Sequence, residues 1–353
     1  MKKELLIGTA LVSTLGAASV AEAVTATMSG NHQTGLEFDS PTGGTDTRAQ
    51  INDNNFTVSL SETTDGGVTI SSSFMLMNEA GGGSSDEDAG FSFAFSDGSS
   101  LDVLNAGNAS GSHDISVPAS AGSEGVTITT SNKAPTGLDF TTASTVYGVE
   151  YHTADDFLVD GLKMSVSAST DDGSNNASTY ALDGHFAVGG TYVTSVGDSA
   201  VTIGAGYSQT EGGITGVGPS NDEGGLHIGI SAVTGDLTVA VGFANGNSVE
   251  AQATAGTLNT EVDGDVVKAG VKYVTGDLTF NVGVTSGTGK DSHTLGTAGT
   301  TDDSIDTTSA SVSYAVASGV TAFLGYTDVD SSNEGVNDTT DGSAWYIGAN
   351  MSF

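Results

Sequence analysis

The chain ends in residues 343–353, S-A-W-Y-I-G-A-N-M-S-F, where apolar residues alternate with small or polar ones. Counted back from the terminus, the apolar positions are Phe353, Met351, Ala349, Ile347 and Trp345. Because successive side chains of a strand point to opposite faces, this stretch has one apolar and one polar face. It is long enough to cross a bilayer as a tilted strand, which takes about 9–11 residues. Alternation alone does not tell such a strand from the edge strand of a soluble sandwich.

The composition excludes several classes of protein. The 353 residues include no Cys, and 8 Lys and Arg stand against 43 Asp and Glu, for a net charge of −35. Nucleic-acid binding needs basic clusters on the phosphates, so we expect no nucleic-acid partner. The absence of Cys excludes disulfides, thiolate metal sites and thiol nucleophiles. Hydrophobic residues make up 37% of the chain and fall in short alternating runs, which disorder does not explain.

The N-terminus has the features of a secretory signal peptide over residues 1–23. Lys2 and Lys3 form a basic start, residues 5–20 are an apolar run of small residues, and Ala21-Glu22-Ala23 fits the A-x-A cleavage pattern. The alternative, a membrane anchor, is disfavoured because the run is short for a spanning helix, which needs about 17–25 residues. The sequence therefore predicts that the chain is exported and that its mature part is 24–353.

The mature part shows period-two alternation throughout and no amphipathic helix pattern. The runs predict sixteen strands, an even number, as bacterial single-chain barrels have. They are placed near residues 24–38, 48–62, 67–78, 89–96, 99–106, 144–153, 160–170, 183–195, 199–210, 223–234, 236–246, 262–275, 277–287, 306–317, 319–331 and 342–353. A barrel of that size leaves an aqueous lumen, so the strand number is itself a functional prediction.

The connections between these strands alternate between short turns and long polar loops. The short turns are Thr64-Asp65-Gly66, Ser96-Asp97-Gly98, Val196-Gly197-Asp198, Thr234-Gly235-Asp236, Thr275-Gly276-Asp277 and Ala317-Ser318-Gly319, with a longer turn at 154–160. Asp and Gly supply the local hydrogen bonds and positive φ that tight hairpins need. Short turns at one end and long loops at the other are typical of outer-membrane barrels, and both termini then lie on the periplasmic side.

Four tyrosines lie at a common level, near the ends of even-numbered strands just before a turn, and on the apolar face. They are Tyr151, Tyr192, Tyr273 and Tyr314. In a membrane barrel this level is an interface, where an aromatic girdle belongs. Phe353 falls on the same level, so the pattern predicts that it joins the girdle. Its strand must then pair with the first strand to leave no edge in lipid.

At this point the chain resembles the general trimeric porins of Gram-negative outer membranes, particularly their acidic alphaproteobacterial branch. The resemblance covers 24–353 and depends on the architecture, on Phe95-Ser-Asp-Gly-Ser-Ser-Leu101 before a long loop, and on the terminal residues 345–353. It implies an all-β, 16-stranded antiparallel transmembrane barrel with a third loop folded into the lumen. It also implies a homotrimer in outer-membrane lipid and lipopolysaccharide that passes small hydrophilic solutes. The barrel-assembly machinery would read a terminal signal formed by Trp345, Ile347, Met351 and Phe353.

The third loop matches residues 106–142, and the resemblance makes it the constriction of the pore. Asp114 and Glu124 are its candidate pore-facing acids. On the wall, the residues with lumen-facing parity that could line the constriction are Glu150, His152, Lys163, Lys268 and Lys272. Because a pore rich in acids concentrates cations, we expect a cation-preferring diffusion channel.

The sequence also bears on three alternatives. An enzyme is disfavoured because the six histidines are scattered and form no motif. A secreted or surface-layer adhesin, acidic and rich in β-structure, remains the alternative to a porin. Acidic loop clusters could bind Ca²⁺ through oxygen ligands, but none has a D-x-D-x-D-G pattern, so we expect no metal or cofactor. These clusters are Glu79, Asp86, Glu87 and Asp88, and Asp302, Asp303 and Asp306.

Overall fold

The computed structural model describes residues 24–42, 44–78, 90–104, 108–118, 148–169, 181–213, 221–250, 260–290, 303–332 and 341–353. The predicted signal peptide and most of the predicted long loops lie outside these residues. Within them, no helix is long and apolar enough to cross a membrane.

The described residues form sixteen strands and one short 3₁₀ helix, Gly111–His113. The strands are β1 (Thr25–Pro41), β2 (Thr47–Thr63), β3 (Thr69–Asn78), β4 (Phe91–Ala94), β5 (Ser100–Val103), β6 (Gly148–His152), β7 (Leu162–Ser169), β8 (Ala181–Val196), β9 (Ser199–Gly213), β10 (Asn221–Thr234), β11 (Leu237–Glu250), β12 (Thr260–Thr275), β13 (Leu278–Lys290), β14 (Asp303–Ala317), β15 (Val320–Ser332) and β16 (Gly342–Ser352).

Each strand pairs antiparallel with its neighbours in the chain, and β1 pairs with β16, so the sheet is a closed barrel. At this seam Leu36 stands opposite Ile347, and Phe38 stands opposite Trp345. Closure leaves no strand edge with unpaired backbone groups. The predicted all-β, sixteen-stranded antiparallel fold and the pairing of its first and last strands are confirmed.

The barrel wall is apolar on its outer face. Its inner face is mostly polar or small, apart from a buried apolar cluster of Ile51, Phe323 and Tyr346. On β11, Leu237, Val239, Val241 and Phe243 are 39%, 41%, 43% and 37% exposed and share the outer face. The inner face of the same strand carries Thr238, Gly242 and small buried alanines. A soluble sandwich would bury the apolar face in its core, so the outward apolar face distinguishes this barrel from one.

The short turns use glycine where the backbone enters the left-handed region. Gly98, Gly197, Gly235, Gly276 and Gly319 have φ values of 89°, 62°, 56°, 58° and 75°, as the turn pattern predicts. In the first turn, positive φ falls on Gly67 (79°), whereas the sequence placed the turn at residues 64–66. The hairpin is closed by a hydrogen bond from the Gly67 amide to the Thr64 carbonyl oxygen, which shifts the turn by one residue.

Strands β4 and β5 are shorter than the predicted stretches 89–96 and 99–106. Leu104 has a φ of 52°, a conformation that ends β5. By contrast, the β1–β2 hairpin continues to Pro41 and Thr47, because its Ser, Asp and Thr residues still pair in register. The general placement of the strands is otherwise as expected.

Candidate functional site

Residues 108–118, which we call the lumen segment, lie inside the barrel against the inner wall. The Ala109 amide donates a 3.0 Å hydrogen bond to the Ser167 hydroxyl of β7. The Nε2 atom of His227, on β10, donates a 2.7 Å hydrogen bond to the Ser110 carbonyl oxygen. This segment belongs to the third loop at 106–142, and its described part therefore folds into the lumen as the resemblance implied.

The 3₁₀ helix places the His113 ring against the inner wall of the barrel, where it is buried. One ring nitrogen lies 2.6 Å from the Thr191 hydroxyl and the other lies 2.8 Å from the Ser165 hydroxyl. Burial of the ring lowers the pKa of His113 to about 4, and the neighbouring His152, Lys163 and His227 lower it further by charge repulsion. His113 is therefore neutral at pH 7 and acts as a hydrogen-bonded anchor of the segment.

The wall beneath the lumen segment is built from glycines, because a Cβ there would collide with the segment. A Cβ on Gly229 would lie 2.6 Å from the Ile115 Cβ atom. At four other wall positions the collision would be with a backbone or side-chain atom of the segment, and these are Gly189, Gly204, Gly206 and Gly270. In the sequence these glycines are recognisable only as small residues that alternate with apolar ones. Their recurrence on one face of successive strands was the available signal.

Apolar contacts also hold the lumen segment against the inner wall. Ile115 and Val117 are buried and pack with Ala240 of β11. Pro118 approaches β12, where its carbonyl oxygen would meet a Cβ on Gly270. The segment thus crosses the inner face of β7 to β12 and occupies part of the cross-section that the barrel would otherwise leave open.

The candidate acids of the third loop are placed only in part. Asp114 lies on the lumen segment, is 47% exposed, and has its Oδ1 atom 3.6 Å from Nδ1 of the buried His227. Glu124 lies outside the described residues. Of the acidic loop residues considered for Ca²⁺ binding, only Asp303 and Asp306 lie within the described residues. Asp114 is therefore the one candidate loop acid whose exposure is described.

The three candidate lysines have lumen-facing positions on their strands. Lys163 stands opposite Thr191, and its Nζ atom lies 3.7 Å from the exposed Asp155 carboxylate. Lys268 and Lys272 alternate with the outward-facing Val267, Val271 and Tyr273 on β12. Arg48, the single arginine, pairs instead with the outward Phe38 and lies over its ring, outside the lumen.

Glu150 and His152 lie together on the inner face of β6, and Asp102 of β5 joins them. His152 Nε2 is 3.1 Å from Asp102 Oδ2 and 3.6 Å from Glu150 Oε1. Glu150 is only 2% exposed and accepts a 2.7 Å hydrogen bond from the Ser112 hydroxyl of the lumen segment. Strand alternation in the sequence indicates Glu150 and His152 as neighbours on the inner face, but it does not indicate Asp102. Among the described residues, these three are a group of side chains that could hold a metal ion.

Carboxylates outnumber basic groups at the lumen-facing positions whose side chains are described. The acids are Glu37, Asp39, Asp53, Asp102, Asp114 and Glu150, against Lys163, Lys268 and Lys272. Much of the remaining inner wall is lined by small hydroxyl and amide groups, such as Ser309 and Thr327, whose hydroxyls are 3.0 Å apart. The apolar cluster of Ile51, Phe323 and Tyr346 is the exception among the described residues. The lumen is thus hydrophilic, with an excess of negative charge.

The predicted girdle residues are on the outer face. Tyr151, Tyr192, Tyr273, Tyr314 and Phe353 are all exposed there. The amide and carbonyl groups of Phe353 each form a 3.1 Å hydrogen bond with Gly30 of β1, and its ring lies 6.1 Å from that of Phe56. Trp345, Ile347 and Met351, the other residues of the expected assembly signal, also face outward.

A closed barrel with an apolar outside, a hydrophilic lumen and a chain segment folded into that lumen defines a pore-forming barrel of the outer-membrane type. The chain belongs to the Gram-negative porin family, whose model matches residues 8–334. This family consists of channels and not enzymes, and the family and the fold together support an outer-membrane location. A search of curated proteins found no match.

Solved structures share the fold at low sequence identity. The anion-selective porin from Comamonas acidovorans has a TM-score of 0.66 and 11% identity, covering 94% of this chain and 100% of its own. The in-vitro folded trimer form of OmpT from Vibrio cholerae has a TM-score of 0.62 and 15% identity, with coverage of 94% and 100%. A porin refined at 1.8 Å has a TM-score of 0.61 and 19% identity, with coverage of 93% and 100%.

Proposed function

We propose that the protein is a general diffusion porin, a passive channel of the outer membrane for small hydrophilic solutes and ions that prefers cations. The observation that carries the proposal is the charge of the lumen. Carboxylates on β1, β2, β5, β6 and the lumen segment face it, and only three lysines oppose them among the described side chains. A channel wall of one charge sign raises the local concentration of counter-ions and excludes co-ions.

The fold alone does not decide ion selectivity, because one structural neighbour is described as an anion-selective porin. The preference must therefore come from the side chains of this chain. Arg48, its only arginine, lies outside the lumen, and Lys163 is close to the carboxylate of Asp155. These positions leave the carboxylates as the dominant fixed charge, which supports a preference for cations.

We include a homotrimer in the proposal, since a neighbour of the same fold is described as a trimer form. The outer face of the barrel would contact the other copies, the lipids and lipopolysaccharide. During biogenesis, the terminal strand with Trp345, Ile347, Met351 and Phe353 would be recognised by the barrel-assembly machinery. No cofactor is required for passive diffusion.

The test is reconstitution of the mature chain in planar bilayers and in liposomes. A porin gives stepwise conductance, and it lets liposomes swell in small neutral sugars but not in large ones. Migration as a compact species that dissociates on boiling would support the trimer. The alternative is an adhesin or surface-layer protein, which would give neither conductance nor swelling. That result, obtained with folded protein, would reject the proposal.

A further inference from the structure

The inner wall beside the lumen segment brings together two carboxylates and an imidazole that are far apart in the chain. Asp102 and His152 are 50 residues apart, yet their side chains are in contact because β5 and β6 pair in register. That register puts Asp102 directly opposite Glu150, and His152 follows Glu150 on the same face. We infer that Asp102, Glu150 and His152 form a binding site for a divalent transition-metal ion, with Zn²⁺ as the ion that fits best.

The arrangement of charges favours a cation at this place. Like charges directly opposite each other on paired strands are destabilising. Among the described residues, the only potentially cationic side chain within ion-pairing distance of Glu150 is His152. A buried carboxylate without a full positive partner is costly, and Glu150 is almost completely buried. A divalent ion between the two carboxylates would remove both penalties.

The distances match those of a metal site. The ligand atoms of the three residues all lie within 4.8 Å of one another, and His152 Nε2 is 3.1 Å and 3.6 Å from the two carboxylates. Zn²⁺ binds nitrogen and oxygen at about 2.0–2.2 Å, so neighbouring ligand atoms of a tetrahedral site are roughly 3.3–3.6 Å apart. Small side-chain rotations, which close a gap of at most about 1.2 Å between ligand atoms, would complete the site.

Neighbouring hydrogen bonds hold the ligands in the orientation that a metal needs. The Nδ1 atom of His152 lies 2.6 Å from the Ser165 hydroxyl, which leaves Nε2 directed at the carboxylates. Ser112 donates to Glu150 at 2.7 Å. In metal sites the second ring nitrogen of a histidine ligand and the bound carboxylates are usually held by partners of this kind.

The ligand set points to zinc and leaves room for access. Ca²⁺ and Mg²⁺ are bound by oxygen ligands, so an imidazole in the set favours a transition metal. Zn²⁺ takes histidine and carboxylate and accepts three protein ligands with one position open to water. His152 lines a cavity of about 650 Å³, together with Lys163 and Thr191, so the proposed site lies beside open space.

Metal binding would connect the wall to the lumen segment, since Glu150 contacts both the metal position and Ser112. This inference goes beyond the proposed function. Binding of Zn²⁺ to the folded barrel in detergent is measurable whether or not the protein conducts ions, so failure of either proposal is seen separately.

The experiment is a Zn²⁺ titration by calorimetry of the untagged, refolded mature chain, repeated with Co²⁺ to read the ligand field from its visible spectrum. We expect one tight site per chain and an intense Co²⁺ spectrum typical of four-coordination. The variants His152→Gln and Asp102→Asn should each lower the affinity at least about 100-fold, more than the loss usual when a residue that only holds a metal ligand in place is changed. Glu150→Gln should do the same while keeping the Ser112 hydrogen bond.

Asp155→Asn and His32→Gln are the controls, because they remove an exposed carboxylate of the same cavity and an imidazole of another strand. Both should bind Zn²⁺ like the parent protein. The boiling-dependent gel shift of every variant shows whether its barrel has folded. Absence of one-to-one binding in the parent chain would overturn the inference. So would equal affinity in folded His152→Gln, which would mean surface binding only.

Discussion

The Nε2 atom of His227 donates a 2.7 Å hydrogen bond to the backbone carbonyl oxygen of Ser110, and the two residues are 117 positions apart in the chain. This bond joins β10 to the lumen segment across the inside of the barrel. Both groups are almost fully buried. The loop is therefore held by specific polar contacts, in addition to the close approach that the wall glycines permit.

Replacing His227 with Leu should loosen the lumen segment without unfolding the barrel. The Ser110 carbonyl oxygen would lose its partner in a buried position, which costs about 1–3 kcal/mol. This predicts amide hydrogen exchange of residues 108–118 that is roughly 5- to 150-fold faster than in the parent protein. Exchange of the β12–β13 amides is the internal reference. Unchanged exchange in the segment would show that His227 does not hold it.

Gly204 should be required for the lumen segment to pack against the inner wall. A Cβ there would meet the His113 carbonyl oxygen, so Gly204→Val should push the segment toward the barrel axis and lower the single-channel conductance. Gly190→Val is the matched control, since that Cβ would have only ordinary contacts, the nearest at 3.6 Å. Equal conductance and equal current noise in the two variants would contradict the described position of the segment.

His113 should make the docking of the segment depend on pH. Its pKa in the folded protein is about 4, below the ordinary 6.5, because of burial and repulsion from His152, Lys163 and His227. The docked state disfavours the charged ring. His113 therefore contributes fully to the free energy of docking above about pH 6.5, and this contribution is lost as the pH falls toward 4.

The measurement is an imidazole titration by NMR in detergent with EDTA present, with the His113 signal assigned from its loss in His113→Gln. We expect a midpoint well below 6 and, over the window from 6.5 to 4, an increase in current noise that His113→Gln lacks. A midpoint at or above 6 would show that the ring is not buried in the wall.

Deletion of Phe353 should impair assembly in the membrane. Its backbone forms two hydrogen bonds to Gly30 at the seam between β1 and β16, and its ring packs near Phe56. Removing the residue frees the end of the seam, and it also removes the aromatic end of the expected assembly signal. Val196→Ala, at an exposed apolar position near another turn, is the control. A normal yield of boiling-sensitive trimer from the truncated chain would refute this prediction.

The sequence was sufficient for most of the barrel because its signals are local. Strand alternation has a period of two, and the turns need positive φ, so Gly98 and Gly319 could be recognised from their neighbours alone. The ends of β4 and β5 could not be predicted in this way, because they depend on where the chain leaves the wall at Leu104. Alternation predicted the inner and outer faces correctly for Lys268 and Tyr273.

The site was less predictable because its contacts are not local. Gly204 and Gly229 look like any small residue of a strand, and their role appears only when the segment that they accommodate is in place. Asp102 became part of the Glu150–His152 group through strand register, which neither residue spacing nor composition reveals. The resemblance indicated Asp114 as a candidate pore-facing acid. Its contact with His227 could not be predicted, because it forms only when the lumen segment lies against β10.

The reversal potential of the native protein in a KCl gradient across a planar bilayer shows whether this diffusion channel, with its carboxylate-rich lumen, prefers cations. We expect a potential of the sign set by K⁺ permeation. It should shrink as the salt concentration rises and the Debye length falls from about 10 Å at 0.1 M to about 3 Å at 1 M. A potential of the opposite sign, which means Cl⁻ preference, would rule out a cation-preferring channel.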